Sequence, residues 1–333
     1  MSELGDTLYI FIFMADKFKY WRSKMLILKI AGGLGNQMQQ YSVYTKLKNM
    51  GKNVKLDLSW FDDSVQKNML APREFELNTF KGVTYEECTK EERNAFLKRS
   101  ALQVVAGKAA KKLGMRSDEN PNVFLETKMY HPEVFELEDK YISGYFACQK
   151  YYGDIMDLLQ EKFTFPDHPD EIIHKRNMAL VERMENESSV SVHIRRGDYL
   201  DPPNAAILGN IATKEYYDCA MDYFLSKDRN THFYIFTSDH EYAREHYYDE
   251  NRYTIVDWNN GRNSVQDLML MSHCKGNICA NSTFSFWGAR LNRRSDKEVI
   301  RTYKMRNNQA VTPEIMHDYW KGWILMDERG SII

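Results

Sequence analysis

Met25-Leu26-Ile27-Leu28-Lys29-Ile30, followed by Ala31-Gly32-Gly33-Leu34-Gly35-Asn36-Gln37-Met38, is the stretch whose reading decides the fold class. A short apolar run that breaks on glycines reads as a buried strand. Residues 36–49 then read as a helix and 54–58 as a second strand. Strand, crossover helix and strand make a βαβ unit, and such units build a parallel sheet. The alternation returns more regularly after residue 170. Strand 190–194 leads to helix 213–225, strand 232–237, helix 241–248, strand 253–258, helix 265–273, strand 277–280 and helix 284–291. Ser264, with Asp267 three residues on, has the spacing of a capping box at one helix start.

A chain of 333 residues with 43% hydrophobic content has the length for two domains, or one large one, with real cores. The expected division is an extension over 1–24, an α/β domain over 25–165, a Rossmann-like domain over 166–300, and a tail over 301–333 that packs back on the domains. Prolines and charges cluster at 163–170, which reads as an interdomain linker. The net charge of −2 supplies no field that would recruit nucleic acid. The five cysteines are odd in number and form no CxxC, which reads as reduced thiols in a cytoplasmic protein. Nine histidines with no HExxH and no pair at i, i+4 give no reason to expect a metal site. The apolar run 8–14 is too short to span a bilayer and has no cleavage pattern after it. The stretch 89–117 carries eight basic residues on an expected helix. A solvated face is the plainer reading, and peripheral contact with anionic lipid at the inner membrane is the other.

The polar residues that bear chemistry follow the strands. His193, Arg195 and Arg196 end one strand, Ser238 and Asp239 the next, Asp257 a third, and Asn281 to Ser285 a fourth. In open parallel sheets the ligand crevice lies outside those ends. Ser191-Val192-His193-Ile194-Arg195-Arg196-Gly197-Asp198-Tyr199 places two guanidinium forks at a strand end, a cradle for the diphosphate of a sugar nucleotide. Strand alternation turns the two arginines to opposite faces; the functional reading puts Arg195 on the β-phosphate, a surface ion pair is the alternative for either arginine, and for Arg196 the two readings weigh equally. In Asn281-Ser282-Thr283-Phe284-Ser285-Phe286-Trp287-Gly288 a strand runs into a helix. Its first N–H groups and the hydroxyls of Ser282, Thr283 and Ser285 suit phosphate, with helix capping as the alternative. Gly33-Leu34-Gly35, with Asp57 after the second strand, partly matches a dinucleotide fingerprint, but Met38 replaces the third glycine. Asn36 and Gln37 put amides there instead, which suits sugar hydroxyls. No Asp-x-Asp occurs, so arginine, hydroxyls and a helix dipole are expected to carry the phosphate charge without a metal.

Together these blocks resemble the bacterial α-1,2-fucosyltransferase family, glycosyltransferase family 11, whose pattern includes G-G-L-G-N-Q-M-F-Q-Y, H-I-R-R-G-D-Y and an N-S-T-F-S-W-W-like block. Tyr141 to Phe146, Lys150 to Tyr152, Phe233 to Asp239 and Asp267 to His273 resemble further family blocks, and the likeness runs over about residues 25–300. The resemblance implies two Rossmann-like domains in a GT-B architecture. It implies inverting, metal-independent transfer of L-fucose from GDP-fucose to a galactose 2-hydroxyl on a galactose-terminated acceptor. The setting would be bacterial surface-glycan synthesis on the cytoplasmic side, with no cofactor. By that resemblance Arg195 contacts the β-phosphate, and His193 and Asp239 read guanine. Arg196, Asn281, Ser282, Thr283 and Ser285 complete the donor site. Asn36, with Gly33, Gly35 and Gln37, lies on the acceptor side, and Arg195 and Asn36 are the expected catalytic pair. The chain departs from the family pattern at Gln39, where Phe is usual, at Ala147-Cys148, where Gln-Ser is usual, and at Arg290, where an apolar residue is common. Two rivals remain at this point: an NAD-dependent oxidoreductase resting on Gly33, Gly35 and Asp57, and a non-catalytic sugar-nucleotide-binding protein.

Overall fold

Strands and helices alternate through the described residues, 24–69, 71–98 and 120–333 of a computed structural model, and the strands form two separate parallel sheets. Apart from Lys24, the expected extension lies outside the described residues, as do residues 99–117 of the basic stretch. Contacts divide the chain into two compact units. One takes the described parts of Met1–Ala31, Gln40–Asp62 and Tyr85–Phe146; the other takes those of Gly32–Gln39, Asp63–Thr84 and Ala147–Ile333.

The first sheet holds β1 (Leu26–Lys29), β2 (Val54–Asp57), β3 (Val123–Leu125) and β4 (Lys140–Ser143) in the order β2-β1-β4-β3. Every neighbouring pair is parallel. The expected βαβ is present, with α1 (Leu34–Asn49) joining β1 to β2. Helix α2 (Lys90–Leu97) opens on a complete capping box: Glu92 N–H donates to Thr89 Oγ1 at 3.1 Å and Thr89 N–H to Glu92 Oε2 at 2.8 Å. Its Phe96 packs with Met25, Ile27 and Tyr141.

The second sheet holds β5 (Ser189–Ile194), β6 (His232–Thr237), β7 (Tyr253–Val256), β8 (Gly276–Cys279), β9 (Glu298–Thr302) and β10 (Ile324–Met326). Their order is β10-β9-β8-β5-β6-β7, all parallel. The chain lays β6 and β7 on one side of β5, then returns to lay β8, β9 and β10 on the other, which is the doubly wound order of dinucleotide-type folds. Helices α3 (Glu171–Asn186), α4 (Lys214–Lys227), α5 (His240–His246), α6 (Val265–His273) and α7 (Thr283–Leu291) lie along this path. Val190, Val192 and Ile194 pack with Tyr216, Tyr217 and Phe224 of α4. Leu180 and Met184 of α3 and Met269 to Met271 of α6 join Tyr234 and Phe236 in a second cluster. Alternation then turns Ser191 and His193 away from the α4 cluster.

Three local expectations change. Residues beyond 300 supply β10, which pairs Ile324 with Ile300 and so extends the sheet. The stretch 163–170 is packed rather than free: Phe163 is buried against Phe80 and Trp287, each 5.1 Å away, and Gln266 Nε2 donates to the Pro166 carbonyl at 2.8 Å. Ser264 and Asp267 form no capping box. The 3-10 turn Gly261–Ser264 runs straight into α6, so Ser264 already has helical angles and its side chain caps nothing. Asp267 instead accepts from Asn259 Nδ2 at 2.9 Å, and burial pushes its carboxyl up to about 8. Among the described residues no helix is long and apolar enough to cross a membrane.

Thr213 is a working cap, taking the Tyr216 N–H at 3.0 Å. Thr213→Ala is expected to cost about 1 kcal/mol, while Ser264→Ala leaves the melting temperature unchanged. Equal losses in thermal melts would show that Ser264 caps its helix after all.

Candidate active site

The sheet order reverses between β5 and β8, which are paired through Val190–Gly276, Ser191–Asn277 and Val192–Ile278. Connections leave these two strands in opposite directions, and in open parallel sheets that switch point, outside the carboxyl ends, is where the ligand crevice falls. Arg195 and Arg196 follow β5 directly, and α7 follows β8. The crevice is thus flanked by an arginine pair and the start of a nine-residue helix.

The two arginines take different neighbours, as alternation requires. Arg195 sits 5.2 Å over the Tyr199 ring. Arg196 Nε donates to Asp239 Oδ2 at 2.9 Å, and its guanidinium stacks 3.9 Å from the Tyr242 ring. The other Asp239 oxygen accepts the Tyr242 N–H at 3.1 Å and so caps α5. The Arg196 bond, helped by that cap, holds the Asp239 carboxyl below the usual carboxylate range. His193 is buried with its ring 5.5 Å from Phe284. Burial first, and Arg195 second, push its imidazole down to about 3, so it is neutral at physiological pH. Its Nδ1 has no hydrogen-bond partner among the described residues.

At the start of α7 the polar residues divide into two groups. Asn281 is spent on holding the turn: Nδ2 donates to the carbonyls of Leu208 at 3.0 Å and Met305 at 3.2 Å, and its own carbonyl accepts the Tyr199 hydroxyl at 3.2 Å. Ser285 is buried and donates back to the Ser282 carbonyl at 3.0 Å. Ser282 occupies the N-cap position without capping through its side chain. Thr283 Oγ1 donates to Asn36 Oδ1 at 3.0 Å, which brings two of the expected site residues together.

The glycine turn is seated on that same helix start. A Cβ on Gly35 would lie 2.6 Å from Phe284 N and from the Thr283 carbonyl carbon, so only glycine permits the approach. Trp287 Nε1 secures it with a 3.0 Å bond to the Gly35 carbonyl. Gln37 is fully buried and fully used: Nε2 donates to Gly32 O at 2.9 Å and Glu74 O at 2.8 Å, and Oε1 accepts the Glu76 N–H at 2.8 Å. It positions the turn rather than offering an amide to a ligand. Asp57, on which the dinucleotide reading rested, is buried and accepts the Tyr141 hydroxyl at 2.7 Å and the Ser59 N–H at 3.0 Å. Among the described residues no three His, Cys, Asp or Glu side chains converge as a metal site would require.

Tyr199, Tyr242 and Trp287 take part in ways the sequence reading missed. Tyr242 could have been found, since it lies three residues after a cap-type Asp, where the capped N–H falls. The Trp287 bond had no sequence signal, because its partner is about 250 residues away.

The family model for glycosyl transferase family 11 matches residues 115–327. The chain is 27% identical over 308 residues to an O-antigen biosynthesis glycosyltransferase, WbnK, of Escherichia coli, covering 87% of this chain and 98% of that protein. It is 30% identical over 274 residues to an alpha-1,2-colitosyltransferase of Escherichia coli, covering 80% and 87%. Over 166 residues it is 26% identical to a galactoside alpha-(1,2)-fucosyltransferase 1 of Rattus norvegicus, covering 48% and 44%. Among solved structures, the fucosyltransferase NodZ from Bradyrhizobium aligns over 80% of this chain and 92% of that one, with a TM-score of 0.41 at 12% identity.

Gly35→Ala is expected to lower stability by about 1–3 kcal/mol, because backbone atoms of α7 must move. Gly33→Ala should be tolerated, since its Cβ would meet only Arg73 Nε at 3.9 Å. Matching melting temperatures for the two variants would mean that the turn is not held against α7.

Proposed function

The chain belongs to glycosyl transferase family 11, and on that premise we propose that it transfers L-fucose from GDP-fucose to the 2-hydroxyl of a galactose-terminated acceptor, with inversion and without a metal ion. The observation that carries this reading is the placement of Arg195 and the start of α7 on the two sides of the strand-order reversal. A diphosphate in that crevice meets a guanidinium fork on one side. On the other it meets the positive end of a helix dipole with the Ser282 hydroxyl. The acceptor hydroxyl attacks the anomeric carbon in line, and GDP departs from the opposite face. Negative charge grows on the β-phosphate as the glycosidic bond breaks, so donors fixed beforehand stabilise the transition state more than the ground state. Asn36, tied to Thr283, faces the transferred sugar. Asp239 keeps lone pairs beyond the two already used, enough to accept from guanine N1–H and its exocyclic amine. Neutral His193 contacts the base without adding charge beside Arg195. The acceptor is a bacterial surface glycan, and the enzyme works peripherally at the cytoplasmic face of the membrane.

A second reading differs only in the donor sugar. The relative named as an alpha-1,2-colitosyltransferase, at 30% identity over 80% of this chain, favours a GDP-linked colitose. Purified enzyme in excess EDTA should be offered both donors with galactosides, and the product linkage read by NMR. An α-1,2-fucosyl product supports the first reading and a colitosyl product the second. Loss of turnover on chelation, restored by Mg²⁺ or Mn²⁺, would overturn metal independence.

Arg195→Ala is expected to lower kcat by ~10²–10³ with the melting temperature unchanged. Arg195→Lys should recover only part, because a point charge does not reproduce the bidentate fork. Near-wild-type turnover in Arg195→Ala would sink the mechanism.

Asp239→Asn is expected to weaken GDP binding by about 1–3 kcal/mol and to relax discrimination against ADP. Asp239 also holds Arg196, and calorimetry on Arg196→Ala and the double variant separates the two roles. If Arg196→Ala alone reproduces the whole loss and the double variant adds nothing, Asp239 does not read the base.

A further inference from the structure

Two arginines are buried inside the second unit with no ion-pair partner among the described residues. Arg290 of α7 and Arg301 of β9 are 4% and 0% exposed. Each engages one of its three guanidinium nitrogens: Arg290 Nη2 donates to the Ala147 carbonyl at 3.0 Å, and Arg301 Nε to the Thr302 carbonyl at 2.9 Å. Arg290 Nε and Nη1, Arg301 Nη1 and Nη2, and the nearby Trp320 Nε1 have no partner among the described residues. All five atoms are donors.

Both guanidinium groups lie near one ring, Phe286, at 6.0 Å for Arg290 and 4.5 Å for Arg301. Arg301 lies 4.1 Å from Trp320, and Arg290 lies 5.3 Å from Trp287 and 5.8 Å from Trp323. Aromatic faces attract a cation but take up none of its in-plane N–H groups. Lys297 adds a third positive charge, although its ammonium is engaged with the Ala289 and Asn292 carbonyls. The ionisable neighbours do not compensate: burial pushes Cys148 and Cys279 up to about 12, so both stay thiols. Burial lowers Arg301 to about 9, which leaves it a cation at neutral pH.

We propose that Arg290 and Arg301 together hold a small inorganic anion, of the size of chloride, inside the second unit. An anion meets both demands at once, taking up the unused N–H groups and offsetting two like charges that a water molecule would leave standing. The burial of Arg301, Phe286, Trp287 and Trp320 keeps out organic anions. The ion would fasten α7 to β9, behind the helix start that faces the proposed donor site.

The test uses the full-length protein with chloride and bromide as probes. Crystals grown in bromide should show an anomalous peak between Arg290 and Arg301. Melting at constant ionic strength should rise by about 2–4 °C as chloride replaces gluconate and then saturate. Arg301→Met removes the site but risks misfolding. Arg290→Leu, which removes one guanidinium and leaves an apolar side chain among aromatic rings, should fold and lose the chloride response. Ordered water in place of the bromide peak would overturn the proposal, and so would an equal chloride response in wild type and Arg290→Leu.

Discussion

The reversal of strand order around β5 is the constraint on which the site depends. β5 is hydrogen-bonded to β6 on one side and β8 on the other, and the chain reaches those partners by opposite routes. Every strand points the same way, so the polar residues that end them collect along one edge. A parallel sheet also needs both faces covered, which is why α4 closes over Val190, Val192 and Ile194 while α3 and α6 cover Tyr234 and Phe236. The same burial that stabilises the sheet leaves its carboxyl edge free for chemistry.

Close packing decides which polar residues hold the site and which are left to act. Gly35 lets the turn reach the backbone of α7, Trp287 fastens it there, and Gln37 ties the turn to Glu74 and Glu76. Asn281 and Ser285 consume their side-chain groups in shaping the helix start. A buried amide or hydroxyl without a partner is costly, so such groups are drawn into local bonds wherever the fold offers one. Thr283 and Asn36 are half-buried and bonded to each other, which positions both without hiding them. Arg196, Asp239 and Tyr242 form a clasp of the same kind on the other side of β5, where the carboxylate caps a helix and restrains a guanidinium together.

The buried arginines of α7 and β9 show the opposite situation, charge taken inside with its hydrogen-bonding capacity mostly unspent. Arg290 sits on α7, whose start borders the proposed donor site, so the electrostatics of the interior and the rigidity of that helix start share the same element. Family membership makes the chain a glycosyltransferase and sets aside the oxidoreductase reading. The burial of Asp57 against Tyr141 agrees with that, since a ribose ligand needs an accessible carboxylate.

Much was legible in the residues alone. Hydrophobic periodicity and glycine breaks placed β5 to β8 and helices α4 to α7, because burial on a pleated or helical surface imposes its period locally, while α3, β9 and β10 went unread. The placement of polar groups after strands pointed to the sheet edge, and the motif blocks pointed to the family. Ser264 misled, because a capping box is a spacing whereas a cap is a backbone conformation, and the 3-10 turn before α6 had already made that conformation helical. Strand order was beyond local reading, since the sequence of β6, β7 and β8 does not say on which side of β5 each will pair. Nor could spacing divide the site residues into those that hold and those that act. That division rests on partners such as Thr283 with Asn36 and Trp287 with Gly35, about 250 positions apart, which only the folded chain brings within hydrogen-bonding distance.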